Sequence, residues 1–445
     1  MNKLSTRVAI AGGGIGGLVM ALQCHKHNIE CMVFEAADKL EPLGVGINLL
    51  PHSVKILAGL GLLDDLAATA IETSELAYFN KHGQAIWREP RGIAAGYDFP
   101  QFSIHRGELH MLLYRQAVAR LGAERVLSGH AIKQFEIGAA DGTRATAVFE
   151  HRRSGAEVAT AEADLVIAAD GIHSTVRAAF FPDEGPPKYS GRVLWRGTCV
   201  AKPFLTGRSM MQAGHARQKA VVYPISRKVF EDTGNNLTNW IMELVVPTPS
   251  GAAPPKQDWS KKVDKSVFSA PFAGWKWDWL DVSALIDGGG EAWEYPMCDR
   301  DPLPRWSHGR VTLLGDAAHP MYPIGSNGAS QAVLDTESLV TALVETSAIA
   351  RPPAQPEIIA NHTRPVGITR ALDRYEAERR EATGKIILAN RGNGPDQVMQ
   401  LAEERAPGGF KHVNDVIPQA ELEAISARYK QTAGFTKTQV NRKAP

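Results

Sequence analysis

Residues 7–18 read RVAIAGGGIGGL, an apolar run followed by the spacing Gly12-x-Gly14-x-x-Gly17. The run has the composition of a buried strand, and the residues after it carry apolar side chains at helical spacing. A strand, a glycine turn and a helix in this order are typical of a dinucleotide-binding unit. Gly12 permits the tight turn, Gly17 lets helix and strand pack closely, and the helix N-terminus at Gly14 and Ile15 presents free N–H groups to a diphosphate.

An acid follows at the position where such a unit binds a ribose. Glu35 ends the next apolar run, 23 positions after Gly12 (35 − 12), near the roughly 20 expected for a carboxylate on the ribose hydroxyls. A carboxylate there repels a 2′-phosphate, so a ribose without one fits best. The alternative is a turn that only packs a helix on a strand. The motif alone does not distinguish FAD from NAD.

The composition excludes several classes of partner. The chain has 445 residues, 44% hydrophobic and 22% charged, with 49 basic and 48 acidic side chains. Such a chain can bury more than one core, and its net charge of +1 gives no field to attract nucleic acid or an anionic membrane. Four cysteines without a C-x-x-C pair predict a reduced, cytoplasmic protein without a metal site, and no apolar stretch is long enough to cross a bilayer.

The middle of the chain has a different pattern of apolar and polar residues. Residues 189–297 form short β-type runs interrupted by Pro, Gly and polar loops, and a buried apolar run returns at 310–314. We therefore expect an α/β protein: a Rossmann-like domain with an inserted, mostly antiparallel β-sheet and C-terminal helices. The predicted boundaries are 1–73, 106–188 and 301–390 for the nucleotide-binding domain, 74–105 (a hairpin segment) and 189–300 for the inserted substrate domain, and 391–445 for a tail without an assigned role.

Two further acids stand at the ends of apolar runs. Asp170-Gly171 follows one run, and Gly315-Asp316 follows another. Open α/β sheets bind ligands at the carboxyl ends of their strands, so we expect both acids to face a nucleotide. The alternative is that Asp170 caps a helix and Asp316 caps a turn. No second G-x-G-x-x-G follows a strand, which predicts that one dinucleotide is held permanently.

A later helix begins among small residues, with Pro323 ahead of Asn327, Gly328 and Ala329. Small residues let backbone N–H groups approach a flat ring, and a helix N-terminus would stabilise negative charge on it. An ordinary helix start is the alternative. In the middle block, Tyr223 is the candidate to contact the substrate and to help remove a proton from it, against the alternative of a core tyrosine.

Together these residues resemble the single-component (group A) flavoprotein aromatic hydroxylases of the p-hydroxybenzoate hydroxylase fold. The resemblance extends to about residue 390. The family's three fingerprints follow in order as the glycine motif with Glu35, ADGIHSTVR at 169–177 and GDAAHP at 315–320. Three more segments are closer to the subgroup that contains the phenazine-1-carboxylate-type hydroxylase of pyocyanin synthesis: PLGVGIN at 42–48, SIHRGEL at 103–109 and KIILAN at 385–390.

The resemblance implies a resident FAD, with NADH or NADPH as a transient co-substrate and O2 as the oxidant. The reaction would be hydroxylation of an aromatic or N-heteroaromatic small molecule, carboxylated or phenolic, by oxygen activated at the flavin C4a position. The resemblance further implies that Glu35 binds the adenosine ribose, Arg106 the pyrophosphate or ribityl region and Asp316 the ribityl chain. Asp170, next to Gly171, would serve both FAD and the encounter with NAD(P)H. The enzyme would be a monomer or a homodimer.

The remaining implied contacts surround the isoalloxazine ring. Pro323 would lie at the oxygen-reacting face. The other ring-lining residues implied are Val45 and Gly46 beside the ring plane, and Asn327, Gly328 and Ala329 at the pyrimidine edge.

Two competing classes remain open at this point. One is a flavin-dependent halogenase or reductase on the same scaffold, since Trp275, Trp277 and Trp279 partly match a halogenase element. The Ile-Pro of that element is missing, so we expect these tryptophans to pack against a helix. The other is a dinucleotide-sensing regulator, which the long middle sheet disfavours.

Overall fold

The computed structural model describes residues 2–42, 44–138, 144–246, 261–346 and 364–442, so Leu43 of the 42–48 motif lies outside the described residues. The strands are β1 (Asn2–Ala11), β2 (Cys31–Phe34), β3 (Gly46–Leu49), β4 (Ile71–Glu72), β5 (Glu75–Phe79), β6 (Ala85–Pro90), β7 (Phe102–His105), β8 (Val126–Leu127), β9 (Ala131–Glu136), β10 (Ala145–Glu150), β11 (Glu157–Ala168), β12 (Lys188–Ala201), β13 (Ser209–His215), β14 (Gln218–Pro224), β15 (Asn236–Val245), β16 (Lys262–Val263), β17 (Lys276–Trp277), β18 (Leu280–Asp281), β19 (Ala292–Asp299), β20 (Ser307–His308) and β21 (Val311–Leu313).

The helices are α1 (Ile15–Lys26), α2 (Pro51–Gly59), α3 (Leu63–Thr69), α4 (Arg106–Leu121), α5 (Thr175–Phe180), α6 (Arg227–Thr233), α7 (Val282–Gly288), α8 (Gly328–Glu345), α9 (Arg364–Arg391), α10 (Gln397–Arg405), α11 (Gln419–Thr432) and α12 (Lys437–Val440). Of the helices in these described segments, none is long and apolar enough to cross a membrane.

The first sheet has the order β20-β21-β11-β1-β2-β8, with β9 and β10 added in antiparallel fashion beside β11. β1 runs parallel to β2, as Val8 opposite Cys31 shows, so the predicted β1-α1-β2 unit is confirmed. β21 runs parallel to β11, with Val311 opposite Val166. The chain therefore returns to the first sheet after the middle block, which confirms the predicted interruption of the Rossmann-like domain. The individual domain boundaries stay a prediction.

The second sheet has the order β16-β19-β12-β15-β14-β13-β5-β6. Its neighbours pair in antiparallel fashion except β13 and β5, which run parallel, so the predicted antiparallel insertion is confirmed. Because side chains alternate between the faces of a strand, each strand contributes to two different environments. One face buries Trp195, Met211, Val222 and Trp240 in a hydrophobic core. The opposite face is turned toward the nucleotide-binding domain.

The tail packs against both units of the fold, although the sequence assigned it no role. Val398 and Met399 of α10 belong to the same hydrophobic cluster as Leu76 and Met210 of the second sheet. Tyr429 of α11 is buried and reaches the loop in front of α8. The tail is thus part of the framework of the site described below.

Tyr429→Phe tests this connection. The Tyr429 hydroxyl donates toward Ile324 O (3.1 Å) or Asn390 Oδ1 (2.9 Å) and accepts from Asn327 Nδ2 (2.9 Å). Removing it leaves buried polar groups unpaired, so we expect the free energy of unfolding to fall by about 1–3 kcal/mol in a denaturant titration. Tyr189→Phe, which removes a hydrogen bond to an exposed carbonyl, is the control. Equal, small effects of both variants would contradict the prediction.

Candidate active site

A cavity of about 540 Å³ lies between the two sheets. Most of the residues predicted for cofactor and substrate line it: Gly14, Ile15, Val45, Gly46, Arg106, Asp170, Gly171, Tyr223, Gly315, Asp316, Pro323, Asn327, Gly328 and Ala329. Gly12, Gly17 and Glu35 do not line it.

The glycine turn leaves no room for side chains at two positions. Gly12 has a φ of +114°, and a Cβ added there would lie 2.2 Å from Ala169 O. A Cβ on Gly17 would lie 1.9 Å from Gly12 O. Gly14 is different, since a Cβ there would meet nothing within 4 Å, and the N-terminus of α1 has no side-chain cap. The free N–H groups of α1 therefore face open space in which a diphosphate fits.

Glu35 ties the turn to the end of β2. Its Oε2 accepts from Gly13 N and its Oε1 from Ala37 N, both at 2.7 Å. On the other side of the turn, His110 Nε2 lies 2.6 Å from Gly13 O. Glu35 thus has a structural role within the turn, and its contact with a ribose stays a prediction.

Asp170 has features of both roles predicted from the sequence, capping a helix and facing a nucleotide. Its Oδ2 accepts from Thr175 N at 2.8 Å, at the start of α5. Its Oδ1 is buried and has no hydrogen-bond partner in the described part of the chain. Burial raises the pKa of Asp170. A bound ligand with a hydroxyl group would satisfy this orphaned acceptor, which fits the predicted contact with FAD.

Asp316 and Arg106 both line the cavity and interact electrostatically. The Asp316 side chain is exposed to the open cavity. The surrounding protein raises the pKa of Asp316, while His319 and Arg106 partly oppose that rise. For Arg106 the effect has the opposite sign, because burial lowers the pKa of a cation. Asp316 partly opposes this decrease. An acceptor and a donor of this kind suit a polyhydroxylated chain, so these residues fit the ribityl region of FAD.

A buried carboxylate that sequence reasoning missed holds the Asp316 loop. Asp335 of α8 accepts from Gly315 N (3.0 Å), His319 Nε2 (2.6 Å) and Arg379 Nε (2.8 Å). Burial alone would raise the pKa of Asp335, but His319 and Arg379 outweigh burial and lower it. The sequence signal for this network is His319 within GDAAHP at 315–320. The sequence does not show that Asp335 of α8 and Arg379 of α9 complete the network.

The register of the second sheet places four side chains in one row across the cavity. Arg196 of β12 is opposite Ile241 of β15, Ile241 is opposite Val221 of β14, and Val221 is opposite Gln212 of β13. All four line the cavity. We call these four residues the central row. It presents a cation at one end, two aliphatic side chains in the middle and an amide at the other end.

Tyr223 lies next to the central row, where the two domains meet. A Cβ added to Gly46 would lie 2.6 Å from Tyr223 Cε2 and 2.8 Å from Asn239 Cγ, so only glycine fits there. Asn239 Oδ1 accepts from Gly46 N at 2.7 Å. Burial raises the pKa of Tyr223, so its phenol stays protonated at neutral pH and is suited to donate a hydrogen bond rather than to act as a base.

On the other side of the row lies a buried ion cluster. Lys219 Nζ is 2.9 Å from both Glu243 Oε2 and Asp396 Oδ2, and Arg192 Nη1 is 3.2 Å from Glu243 Oε1. Burial lowers the pKa of Lys219, but the two carboxylates outweigh burial and raise it overall, so Lys219 is charged. The sequence did not predict this cluster because Asp396 belongs to the tail, 177 residues beyond Lys219.

The tryptophans of the halogenase alternative lie outside the cavity. Trp277 stacks on Trp279 with 5.0 Å between ring centroids, and Trp275 lies 5.8 Å from Trp277. Trp279 also contacts Phe79 at 4.3 Å. These rings pack against the hydrophobic core on the face of the second sheet that is turned away from the cavity. Helix α7 packs on the same face.

The fold and the site together define a flavin-dependent aromatic monooxygenase: a dinucleotide turn and two ligand-facing acids on one side, and an antiparallel substrate sheet on the other. A family model described as an FAD binding domain matches residues 5–197 and 299–354. The chain belongs to this family, and FAD is its cofactor.

The curated relatives agree with this class. A phenazine 1,6-dicarboxylic acid hydroxylase of Lysobacter antibioticus is 42% identical over 87% of this chain and 89% of its own length. A 3-amino-4-hydroxybenzoate 2-monooxygenase of Streptomyces cremeus is 34% identical over 80% of this chain and 82% of its own. A 6-hydroxynicotinate 3-monooxygenase of Pseudomonas fluorescens is 28% identical over 87% and 91%. These monooxygenase names leave the halogenase alternative without support.

Solved structures show the same fold. p-Nitrophenol 4-monooxygenase of Pseudomonas putida is 20% identical, with a TM-score of 0.70 over 100% of both chains. A salicylate hydroxylase in complex with its substrate is 20% identical, with a TM-score of 0.68 over 99% of both chains.

Asp316→Ala tests the cofactor site. Because the exposed carboxylate is predicted to accept hydrogen bonds from FAD, we expect its loss to weaken FAD binding by roughly 10- to 150-fold, the equivalent of about 1.5–3 kcal/mol. The ratio of flavin to protein absorbance after dialysis measures this. Asp183→Ala, at an exposed position away from the cavity, should keep its flavin. Full flavin content in Asp316→Ala would rule out the assigned role.

Proposed function

We propose that this monooxygenase hydroxylates a planar, polycyclic aromatic carboxylate of the phenazine type. The observation that carries the proposal is the central row, which offers a cation beside an aliphatic surface. In the proposed complex the ring system lies on Ile241 and Val221, and the carboxylate binds to Arg196.

Arg196 is suited to bind an anion. Its side chain is buried and lies over the Tyr295 ring, 5.2 Å from the ring centroid. Burial lowers the pKa of Arg196, and the nearby Arg106 adds to that decrease. A bound carboxylate would relieve both effects, because an opposite charge stabilises the protonated guanidinium. Arg196 would thereby fix the orientation of the substrate.

The length of the row fits a fused ring system. Three strand spacings of about 4.8 Å each, roughly 14 Å in all, separate the backbones of Arg196 and Gln212. Side chains on one face of a sheet stand roughly perpendicular to it, so this span leaves room for about three fused rings. Ile241 and Val221 beneath the rings, together with Pro323 in the cavity wall, would exclude water from the reacting carbon.

The relatives support an aromatic carboxylate. The names of the Lysobacter, Streptomyces and Pseudomonas fluorescens proteins refer to a phenazine dicarboxylic acid, an aminohydroxybenzoate and a hydroxynicotinate. All three are aromatic carboxylates, and two contain ring nitrogen. The phenazine is favoured here because that relative has the highest identity of the three and because the row is long.

The protein would act mainly by positioning. FAD, once bound and reduced by NADH or NADPH, supplies oxygen activated from O2. Arg196 would hold the carboxylate, and the row would hold the ring carbon in place. Tyr223 would donate a hydrogen bond to substrate or product oxygen. The four cysteines are free and buried, which supports a reduced, cytoplasmic enzyme. We further propose that it acts as a monomer or a homodimer.

A substrate screen tests the proposal. Phenazine-1-carboxylate, phenazine-1,6-dicarboxylate, 6-hydroxynicotinate and salicylate are each added to the holoenzyme with NADH or NADPH and air, and the products are analysed by mass spectrometry. We expect a phenazine carboxylate to give the fastest coenzyme oxidation and a hydroxylated product. The masses also show whether the carboxylate is retained. Fast turnover of only the single-ring acids would overturn the phenazine assignment.

Arg196→Met is expected to raise the KM for phenazine-1-carboxylate by about 10- to 100-fold, the equivalent of about 1.4–2.8 kcal/mol. The change removes the charge that binds the carboxylate but keeps an apolar side chain of similar length. Arg208→Met, on the exposed surface, is the control. A KM for Arg196→Met within twofold of that of the control would show that the carboxylate binds elsewhere.

A further inference from the structure

Two buried acceptor atoms without partners line the cavity away from Arg196. One is on Gln212 at the far end of the central row, and the other is on Asp396, which binds Lys219 on the strand next to that of Gln212. Gln212 is 4% exposed and Asp396 is 6% exposed, and both line the cavity. Gln212 Oε1 and Asp396 Oδ1 are fully buried, and neither has a hydrogen bond within the described residues. Buried acceptors are normally satisfied, so these two atoms indicate that a ligand supplies a donor.

The charges around this end do not favour a second carboxylate. The cations are Lys219 and Arg192, and the carboxylates are Glu243 and Asp396, so the cluster sums to zero. Lys219 already lies between both carboxylates. A carboxylate placed beside Asp396 Oδ1 and Gln212 Oε1 would bring acceptor against acceptor, and only the Gln212 Nε2 group could donate to it. A hydroxyl or amino group would instead donate to one or both of them.

We propose that this end of the cavity selects substrates that carry a hydrogen-bond donor, a hydroxyl or amino group, on the ring farthest from the carboxylate, and that Gln212 and Asp396 accept from it. The proposal rests on the proposed function, because it takes the carboxylate on Arg196 as the opposite end of the substrate. This preference would distinguish the substrate specificity of this chain from that of an enzyme that acts on a symmetric dicarboxylate.

A bound water is the competing partner for Gln212. A small cavity of about 20 Å³ lies behind Gln212, lined also by Tyr78, whose buried hydroxyl has no partner within the described residues. One water there could bridge Tyr78 and Gln212. If water fully satisfied Gln212, a donor on the substrate would give no advantage, so the experiment must compare donors with blocked donors.

Ligand binding to the oxidised holoenzyme measures this without turnover. The probes are phenazine-1-carboxylates with a hydroxyl group at C6, C7, C8 or C9 of the distal ring, the four matching methoxy compounds and phenazine-1,6-dicarboxylate. The change in flavin absorbance on titration gives each Kd. We expect at least one hydroxy compound to bind about tenfold more tightly than its methoxy counterpart and than the dicarboxylate. Equal affinities throughout, or a preference for the dicarboxylate, would overturn the proposal.

Gln212→Met tests whether Gln212 causes the preference for hydroxy over methoxy compounds. The side chains are similar in size, and methionine lacks the amide oxygen, so the hydroxy-to-methoxy preference should fall to within about twofold. Gln218→Met applies the same change on the neighbouring strand β14, outside the cavity, and should keep the tenfold preference. Flavin content shows that both variants fold. A full preference in Gln212→Met would exclude Gln212 as the acceptor.

The two proposals fail in different ways. If no phenazine carboxylate perturbs the flavin spectrum, the proposed function is wrong and the inference falls with it. If phenazine-1-carboxylate binds and is hydroxylated but hydroxy and methoxy compounds bind alike, the proposed function stands and only the donor specificity is wrong.

Discussion

At Gly12 the chain passes very close to itself, and this contact positions the elements around the cavity. The turn passes so near Ala169 O that no side chain fits, and the helix that follows packs against the Gly12 carbonyl. This fixes the start of α1 over the ends of β1 and β11. The uncapped N–H groups of α1 and the orphaned oxygen of Asp170 then face the same cavity. One backbone contact therefore positions the groups that are predicted to bind a dinucleotide.

The two halves of the cavity are positioned by different forces. The cofactor half depends on charge, since the buried Asp335 holds the Asp316 loop through His319 and through Gly315 N. The substrate half depends on strand register, because only the pairing of β12, β15, β14 and β13 brings Arg196, Ile241, Val221 and Gln212 into one row. The domains meet at Gly46, where Tyr223 and Asn239 pack against bare backbone.

The sequence indicates which residues come together in the cofactor half of the cavity, because the signals for them are local. The glycine turn, Asp170 and Asp316 each follow an apolar strand run directly, and the structure places the two acids and Gly14 in one cavity. The central row could not be predicted in the same way. Alternation shows which residues of one strand share a face, but register between strands depends on pairing that no short segment specifies. Asp396 and Tyr429 were missed because the tail lacks a motif, and its contacts are set only by tertiary packing.

Oxygen-isotope labelling measures whether the cavity brings a reduced flavin, O2 and an aromatic ring together. The holoenzyme is supplied with NADH or NADPH, phenazine-1-carboxylate and ¹⁸O2, and the product is examined by mass spectrometry. We expect one ¹⁸O atom in the new ring hydroxyl for each coenzyme molecule oxidised in productive turnover. A ring hydroxyl that carries oxygen from water, or coenzyme oxidation that yields only hydrogen peroxide with every aromatic carboxylate supplied, would contradict it.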